Sequence, residues 1–549
     1  MELNQQGTCQ VLMFNDKPCG RALYDGGKCI CHSDKQDKDI ELFQQELDKI
    51  FADKEAELYD LRRFVFPVDG WRLPSEFNKS VFLYEARFCG EAGFSRARFS
   101  TDVTFLEARF SGTASFDGAS FSGNADFYGA QFSGEAFFTF AEFSGKAGFD
   151  DAEFSDATFF DHLRFTGAAD FHGAQFSGEA DFTGAQFLGA ADFHGTQFSR
   201  NAVFDAVLFR GKADFGDAKF LGVTDFNYAV FSSPADFEGA RFSGLARFGG
   251  CSFGSTVNFR ECHVLENGRL SFDREPERQL ASLHMLYPWV PEEPKMFEHW
   301  ADFSHMTVEK KDSPCFRKTH LAKCLFLETD VTKVSFTDVT WPTVPKFFKW
   351  FPRCAVCDEV WAAQKGKGDS PRPDYRAIAR LNRQLQKNYA ENLQYAQAGD
   401  FYIGEQEMER KAKGRLRQYL CASSLYKLVS YYGQSYLLPF FWLVLARLTF
   451  PLYFLYDGIK LYPNAEGLHV DEVNYAWSWR PWDCLFLTRD YWNTFFNHLS
   501  FITFDRSAIN LYGFQPYQKA IIVLQTVLII ILITFFLLAL RRAFKRKSF

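Results

Sequence analysis

The sequence predicts a mainly β fold in which a coiled solenoid, residues 71–264, is followed by a helical membrane domain, residues 421–549. Two observations support this fold class. Phenylalanine supplies 66 of the 549 residues, and thirty-one of these recur from Phe94 to Phe259 in steps that alternate five and six. Two long apolar segments lie near the C-terminus, each long enough to cross a bilayer.

Composition and charge exclude several classes of protein. An apolar content of 47 % with 18 % aromatic residues excludes a disordered chain. The net charge of −7 argues against a general nucleic-acid binder, so we expect no nucleic-acid partner. The first ten residues lack the apolar run of a signal peptide, and the thirteen cysteines are unevenly grouped. We therefore expect a reducing compartment, in which grouped cysteines are more often metal ligands than disulfides.

The phenylalanine period predicts a solenoid rather than a helical assembly. An eleven-residue apolar period also occurs in right-handed coiled coils. Here, however, nearly every unit carries glycine beside small polar residues, as in residues 180–187, ADFTGAQF. Each glycine inside a helix costs about 1 kcal/mol. The pattern instead indicates short extended segments joined by turns, with two units forming one coil of 22 residues and coils stacked about 4.8 Å apart.

The repeated phenylalanines are the predicted core of this column. Alternate exposure along an extended segment places each ring inward, and the small residue two positions earlier fills the space beside it. The core candidates chosen from the centre of the ladder are Phe182, Phe187, Phe193 and Phe198.

The repeat unit resembles the pentapeptide-repeat family, whose unit is written A(D/N)(L/F)xx. Residues 180–184 (ADFTG), 191–195 (ADFHG) and 235–239 (ADFEG) match as they stand, although every second unit is a hexapeptide, as in residues 185–190. The resemblance implies a right-handed quadrilateral β-helix. It implies no shared chemistry, because a fold of this kind carries function only in its local sites.

Both ends of the column carry different patterns. Residues 40–63 have helical apolar spacing, which predicts a helix that caps the column within residues 37–70. Residues 265–322 look irregular, and the five-residue rhythm returns over residues 325–341. We therefore expect an insertion followed by terminal coils between residues 265 and 345.

Cysteine and histidine residues in the first 36 positions predict a metal site. Thiolates and an imidazole grouped within 24 residues can complete a tetrahedral zinc site, whose closure supplies folding energy that so short a segment lacks. Similar N-terminal segments on pentapeptide-repeat proteins carry three cysteines and one histidine in this order. That resemblance implies the ligands Cys9, Cys19, Cys29 and His32.

Two alternatives remain open for these cysteines. Cys31 is the rival fourth ligand, and reduced structural thiols without metal are the other interpretation. Four protein ligands leave no open coordination position, so we expect a structural rather than a catalytic Zn²⁺. The separate pair Cys354 and Cys357 is a single half-site, for which loop cysteines are the favoured interpretation.

Residues 346–420 are predicted to form a loop followed by a cytosolic helix pair, since a helical rhythm begins at about residue 374. Apolar residues from Ile378 to Leu393 share one face, and residues 398–400 predict a break before a second helix over residues 405–420. This part of the chain looks like the C-terminal part of a membrane-bound subset of pentapeptide-repeat proteins. The acidic group Asp400, Glu405 and Glu407 is interpreted as a solvated helix N-terminus.

Two apolar segments, residues 435–456 and 520–540, are the predicted membrane spans. Basic residues crowd their outer flanks, whereas the 63-residue connection (457–519) carries few. By the positive-inside rule, both termini lie in the cytosol and the protein is a multi-pass component of the inner or plasma membrane.

Several polar residues in this region are candidate pore positions. Arg447 lies within the first span, where a charge suggests a functional site, snorkelling or the end of a shorter span. The segment 491–504 precedes the second span, a layout similar to tetrameric two-span cation channels. Asp505-Arg506-Ser507-Ala508 stands where their filter would be, so an interfacial amphipathic helix is favoured. The pore candidates are Arg447, Thr494, Asn497, Ser500 and Thr503.

These patterns favour a non-enzymatic scaffold, anchored in the lipid bilayer, that presents the solenoid to a protein partner. The alternative is an oligomeric channel-like or membrane-disrupting effector gated by the solenoid, and in either case we expect homo-oligomers. Mimicry of DNA is disfavoured because residues 71–262 carry 25 acidic and 15 basic side chains, a mixed surface. No Walker loop, G-x-S-x-G elbow or H-E-x-x-H motif is present, so an enzyme is the least supported class.

Overall fold

The computed structural model describes most of the chain, in two units. The described residues are 7–13, 16–274, 286–291, 296–345, 352–365, 373–414, 417–457, 459–461, 471–473, 491–492 and 516–547. The first unit comprises Met1–Val344 and Cys354–Pro371, and the second comprises Pro345–Arg353 and Arg372–Phe549.

The first unit is a parallel β-solenoid with four faces. In the described part, face 1 has twelve strands from Leu58–Asp60 to Cys324–Leu325, and face 2 has eleven from Val65–Phe66 to Thr307–Val308. Face 3 has eleven strands from Ala92–Gly93 to Ser335–Thr337, and face 4 has nine from Glu76–Phe77 to Ser252–Phe253. The solenoid prediction is confirmed, whereas the right-handed sense stays a prediction.

The register confirms a coil of 22 residues. One coil contains the strands Ala169–Asp170, Gln175–Phe176, Ala180–Asp181 and Gln186–Phe187. Ala169 pairs with Ala191 and Ala180 with Ala202, so equivalent residues of successive coils lie side by side. Because each strand alternates an inward and an outward residue, the outward positions of the repeat form the outer surface of the faces.

Stacked aromatic rings fill the core of the solenoid. Phe182, Phe187 and Phe193 are fully buried, and Phe198 is 1 % exposed. The ring of Phe182 stacks on Phe204 of the next coil at 4.8 Å and meets Phe193 edge-on at 5.6 Å. Offset stacks and edge-to-face pairs are the favourable aromatic arrangements, so the ladder satisfies both geometries at once.

Glycine recurs at two kinds of turn. A Cβ atom at Gly189 would lie 2.3 Å from the carbonyl oxygen of Gly167 in the preceding coil, so a side chain there would force the coils apart. Gly184 has φ +65°, a conformation that glycine adopts without a steric penalty. These requirements explain the repeated glycine that excluded a helix in the sequence.

The first end of the solenoid is covered by helix α1, Ile40–Ala52. Phe43 is fully buried and meets Phe66 of the first coils edge-on at 5.6 Å, and Phe51 meets Phe77 at 5.8 Å. The helix is shorter than the predicted 40–63, because the chain turns at Asp53 and enters the first strand of face 1 at Leu58.

The stretch expected to be irregular, residues 265–322, continues the solenoid for most of its length. It contains the strands Arg269–Asp273, Ala301–Asp302, Thr307–Val308 and Cys315–Arg317. The rings of Phe272, Phe303 and Phe316 extend the core stack at 4.9–5.4 Å. The five- and six-residue spacing of phenylalanine is lost in this stretch because the segments between strands are longer, although the strands still carry inward rings.

The far end of the solenoid contacts helix α2, Cys357–Lys365. The buried Asp358 carboxylate accepts a hydrogen bond of 3.1 Å from the Phe326 N–H in the last coils. Cys357 Sγ donates to the Ala322 carbonyl at 2.9 Å. These contacts attach α2 to the edge that a further coil would otherwise cover.

We expect the attachment of α2 to weaken as pH rises from about 4 to about 7. Burial raises the pKa of the Asp358 carboxyl to about 7, above the usual value of 3.8. Within this window the folded state therefore holds a proton that the unfolded state releases, so stability falls with rising pH. Thermal melts of the wild type and of Asp358→Asn check this, since the amide keeps an oxygen acceptor without titrating.

The difference in stability between the wild type and Asp358→Asn should be measured at each pH. Other groups titrate in both proteins and cancel in this difference. We expect Asp358→Asn to gain stability relative to the wild type at neutral pH and to lose that advantage near pH 4. A difference that does not change with pH would contradict the assignment.

The second unit begins with two paired helices, α3 (Tyr375–Glu391) and α4 (Tyr395–Ala412). The predicted break at residues 398–400 is wrong, because Ala398 and Gly399 are buried inside α4 and the chain instead reverses around Leu393 at φ +61°. Leu393 is 55 % exposed, so it does not share the buried face of Ile378.

In the described part of the second unit beyond α4, the chain is helical apart from one short strand pair. The elements are α5 (Arg417–Leu420), α6 (Ala422–Ser430), α7 (Leu437–Asp457), the paired strands Ile459–Leu461 and Asp471–Val473, and α8 (Pro516–Lys547). Among the described residues, one helical segment, Ala520–Phe544, has the length and composition to cross a membrane. Leu437–Phe450 within α7 is a shorter apolar stretch.

Candidate metal centre

A hairpin near the N-terminus places Cys9 beside Cys19. Isolated antiparallel bridges join Thr8 to Ala22 and Leu12 to Pro18. Backbone hydrogen bonds from Cys9 N to the Arg21 carbonyl (2.8 Å) and from Gly20 N to the Cys9 carbonyl (3.0 Å) hold the two arms in register. Two thiols ten residues apart in the sequence therefore lie on neighbouring strands.

A turn supplies the other two candidate ligands. The Cys29 carbonyl accepts hydrogen bonds from His32 N at 3.1 Å and Ser33 N at 2.8 Å, which turns the chain back within four residues. Cys29 and His32 therefore point to the same side, into the group formed with Cys9 and Cys19. Both side chains are buried, at 1 % and 2 % exposure.

The four predicted ligands meet in one group. The ligand atoms of Cys9, Cys19, Cys29 and His32 all lie within 4.8 Å of one another. Cys19 Sγ is 3.8 Å from Cys29 Sγ, and His32 Nδ1 is 3.1 Å from Cys29 Sγ and 3.4 Å from Cys9 Sγ. Sulfur atoms bound tetrahedrally at about 2.3 Å lie about 3.8 Å apart, so this Cys₃His group can hold a metal ion.

A hydrogen bond to the first coil fixes the orientation of the histidine. His32 Nε2 lies 3.1 Å from the Arg62 carbonyl oxygen, which can only accept, so Nε2 carries the proton and Nδ1 is left as the ligand atom. The His32 ring also packs edge-on against Phe64 at 5.0 Å. Sequence inspection missed Arg62 and Phe64, because both are about thirty residues away along the chain.

A nearby cation offsets the charge of the thiolates. Three thiolates around a divalent ion leave one net negative charge, and Arg21 donates a hydrogen bond of 3.2 Å to Cys19 Sγ. The Arg21 guanidinium is held in turn by Glu46 at 3.3 Å. The hydrogen bond with Cys29 and burial raise the pKa of the Cys19 thiol, and the charge of Arg21 partly offsets this in favour of the thiolate, the form that binds metal.

The other cysteines named in the sequence take different positions. Cys31 is fully buried but lies outside the group of four ligands. Burial raises the pKa of the Cys357 thiol to about 12, and its hydrogen bond to a carbonyl is that of a protonated thiol. Within the described residues, Cys354 and Cys357 form no metal-binding group.

The pore candidates are not brought together by the described structure. Arg447 lies in the middle of α7 and is half-buried. Thr494, Asn497, Ser500 and Thr503 fall outside the described residues. The pore assignment therefore stays a prediction.

A buried ionic cluster in the second unit was missed in the sequence. Glu407 is 7 % exposed and accepts hydrogen bonds from Lys427 (2.6 Å), Arg410 (2.9 Å) and the Tyr432 hydroxyl (3.0 Å). Burial alone would raise the pKa of Glu407, but the bonds from Lys427 and Arg410 outweigh it and lower that pKa.

The interpretation of Glu405 and Glu407 as a solvated helix N-terminus is therefore wrong. Glu405 is 6 % exposed and pairs with Arg383 at 2.7 Å. The signal that would have revealed the cluster is the i, i+3 spacing of Glu407 and Arg410 within a continuous helix.

Comparison with known families identifies the repeat. A family profile described as "Pentapeptide repeats (9 copies)" matches residues 75–120, 160–208, 204–252 and 215–263. These ranges lie within the solenoid of the first unit. A search of curated proteins finds no match to the chain.

Proposed function

We propose that this pentapeptide-repeat protein is a membrane-anchored scaffold, with no enzymatic activity, whose cytosolic solenoid presents a side surface to a protein partner. Solenoids of this kind are commonly used for protein interaction. The observation that supports the proposal is the filled core, in which stacked rings such as Phe182 and Phe204 occupy the interior. With α1 at one end and α2 at the other, the outward side chains of the four faces are left to carry function.

Anchoring in the bilayer is supported by the exposed apolar surface of α8. Val523 and Leu524 are 64 % and 67 % exposed, which in water would be an unfavourable apolar surface. The basic residues Arg541 and Arg542 follow at the end of the apolar segment, as expected at a cytosolic boundary. We propose that α7 and α8 form a hairpin with both termini in the cytosol of the inner or plasma membrane.

The metal proposed for the N-terminal site is Zn²⁺ with a structural role. The Cys₃His donor set and its spacing suit zinc, and all four coordination positions would be filled by protein. Bound there, zinc would fasten the hairpin of Cys9 and Cys19 to the first coil through His32 and Arg62.

Two measurements test this proposal: the side of the membrane on which the termini lie, and the conductance of the purified chain. Tags at the two termini of the full chain are expected to be digested by protease in inside-out vesicles and protected in right-side-out vesicles, because two spans return the chain to the same side. In planar bilayers the purified full chain is expected to carry no current.

Two results would contradict the proposal. Termini on opposite sides would show a single span. Unitary currents that disappear in Arg447→Gln but persist in Arg447→Lys would favour the channel-like alternative, because only the second variant retains the intramembrane charge.

A further inference from the structure

One strip of face 3 differs in chemistry from the usual outward positions of the repeat. It consists of residues 113–118, 135–140, 157–162, 179–184 and 201–206, which lie side by side in five successive coils. These segments contain no lysine or arginine. They carry the acidic residues Asp117, Glu135, Asp161, Glu179, Asp181 and Asp205. We call this surface the acidic aromatic strip.

Two phenylalanines of the strip occupy outward strand positions. In the next coil Asp181 occupies the equivalent position, but Phe137 and Phe159 stand there in two successive coils. Both side chains are half-buried, and their rings stack at 4.9 Å with an interplanar angle of 8°. These rings lie outside the core, so the packing of the solenoid does not require them.

Phe140 forms a corner of its coil at positive φ. Its φ is +58°, and the same corner is formed in other coils by Gly118 and Gly184 (φ +61° and +65°) and by His162 and Ala206 (φ +54° and +55°). The Phe140 side chain is 63 % exposed and stacks on the ring of His162 at 5.0 Å. The exposed ring of Phe140 contributes nothing to the core, so the packing of the solenoid does not require an aromatic residue at this corner.

The same corner already holds an apolar segment of this chain in the following coils. Tyr287 and Val290 pack against Ala206 and Tyr228, and Trp289 Nε1 donates a hydrogen bond of 2.9 Å to the Ala206 carbonyl. The corner row therefore accepts aromatic and aliphatic side chains. Tyr287 of this segment stacks on His162 at 5.9 Å, and one coil before that contact Phe140 is 63 % exposed.

The carboxylates of the strip are positioned by neutral donors. Thr139 Oγ1 donates to Asp161 at 2.9 Å, and Thr183 N and Oγ1 donate to Asp181. Such bonds orient a carboxylate without cancelling its charge. Burial together with the negative field of Asp205, Asp181 and Asp161 raises the pKa of Tyr287, so the charges act on a common region.

We infer that the acidic aromatic strip is the docking surface for a basic protein segment in which arginine or lysine alternates with apolar residues. Charge complementarity selects the basic residues, and the faces of Phe140 and Phe137 receive cationic or apolar side chains. Five coils at about 4.8 Å span about 19 Å, which about six residues of extended peptide cover. This inference rests on the proposed scaffold function and names the chemistry of its partner.

A peptide-binding measurement on the full chain tests the strip. The probe is a labelled synthetic peptide of about eight residues that alternates arginine and leucine, and fluorescence anisotropy reports binding in detergent solution. We expect the wild type to bind the peptide. We expect the affinity of Phe140→Gly for it to be at least about tenfold lower. Phe140→Gly should keep the fold, since it relieves the positive φ. Phe137→Asn introduces a residue that the repeat pattern allows without adding charge, and it is expected to weaken binding as well.

Matched controls separate the strip from general charge and from micelle binding. Tyr128 is 39 % exposed at a corner after face 1, so Tyr128→Ala is expected to bind like the wild type. A peptide that alternates glutamate and leucine is expected not to bind. Equal binding of both peptides, or unchanged binding by Phe140→Gly and Phe137→Asn, would overturn the inference.

Two further outcomes keep this inference distinct from the scaffold proposal. If the wild type forms dimers that Phe140→Gly abolishes while the peptide does not bind, the strip contacts a second copy of the chain and the inference is wrong. If cross-linking of the full chain in membranes recovers the same partner from the wild type and from Phe140→Gly, the scaffold stands and only the strip assignment fails.

Discussion

Replacing Phe182 by alanine is expected to lower the free energy of unfolding of the solenoid by about 3–5 kcal/mol. The ring is fully buried and lies between Phe160 and Phe204, with stacking distances of 4.8 Å on both sides. Phe171 and Phe193 meet it edge-on. Alanine would leave a cavity that the stacked backbones cannot close, because each coil is fixed to its neighbours by hydrogen bonds.

Thermal melts and hydrogen exchange of the full chain check this expectation. Gln175→Ala is the matched control, since Gln175 points outward from the same coil and its loss should change stability by no more than about 0.5 kcal/mol. Contacts in a solenoid reach only neighbouring coils, so lost protection should centre on the coils of Phe160 and Phe204. A melt that equals the wild type would refute the inward position of Phe182.

The regular part of the solenoid could be predicted from the sequence because every coil buries phenylalanine rings at the same positions. Steps of five and six residues return each ring to the same face after 22 residues, so the strand register of Ala169 with Ala191 follows from arithmetic. The terminal coils could not be predicted in this way. There the core selects inward rings such as Phe303 and Phe316, whereas the length of each turn is free.

In the helical region, prediction from the sequence failed for a different reason. Residues 398–400 look like a chain break because glycine and aspartate disfavour helix interiors. In the structure Ala398 and Gly399 are buried where α3 and α4 pack, so tertiary contact decides their conformation. The burial of Glu407 escaped prediction for the same reason, since Lys427 and Tyr432 are distant in sequence.

The metal site could be predicted from the sequence except for the choice of its fourth ligand. Cys31 and His32 are adjacent, and no local pattern decides which of them joins Cys9, Cys19 and Cys29. The structure places His32 in the group because the turn at Cys29 aims it there and Arg62 holds its second nitrogen. That second contact comes from the first coil of the solenoid, beyond the reach of a local motif.

Replacing Cys29 by serine is expected to abolish zinc binding and to release the N-terminal segment from the solenoid. Structural zinc contributes about 10–16 kcal/mol of apparent binding free energy in isolated zinc-finger peptides, and such binding is folding free energy for a segment without a core of its own. Metal analysis of protein purified without chelator should give one zinc per wild-type chain. Cys29→Ser should give none, and its residues 7–36 should become sensitive to protease.

Cys31→Ser is the matched control, since Cys31 is equally buried but lies outside the group of ligands. It is expected to retain zinc, whereas loss of zinc from Cys31→Ser with retention in His32→Ala would assign Cys31 as the fourth ligand. The effect of Cys29→Ser should remain local, because coils contact only their neighbours and the stack around Phe182 begins several coils away. Protection of that stack from exchange should therefore be unchanged, which separates loss of the metal from general unfolding.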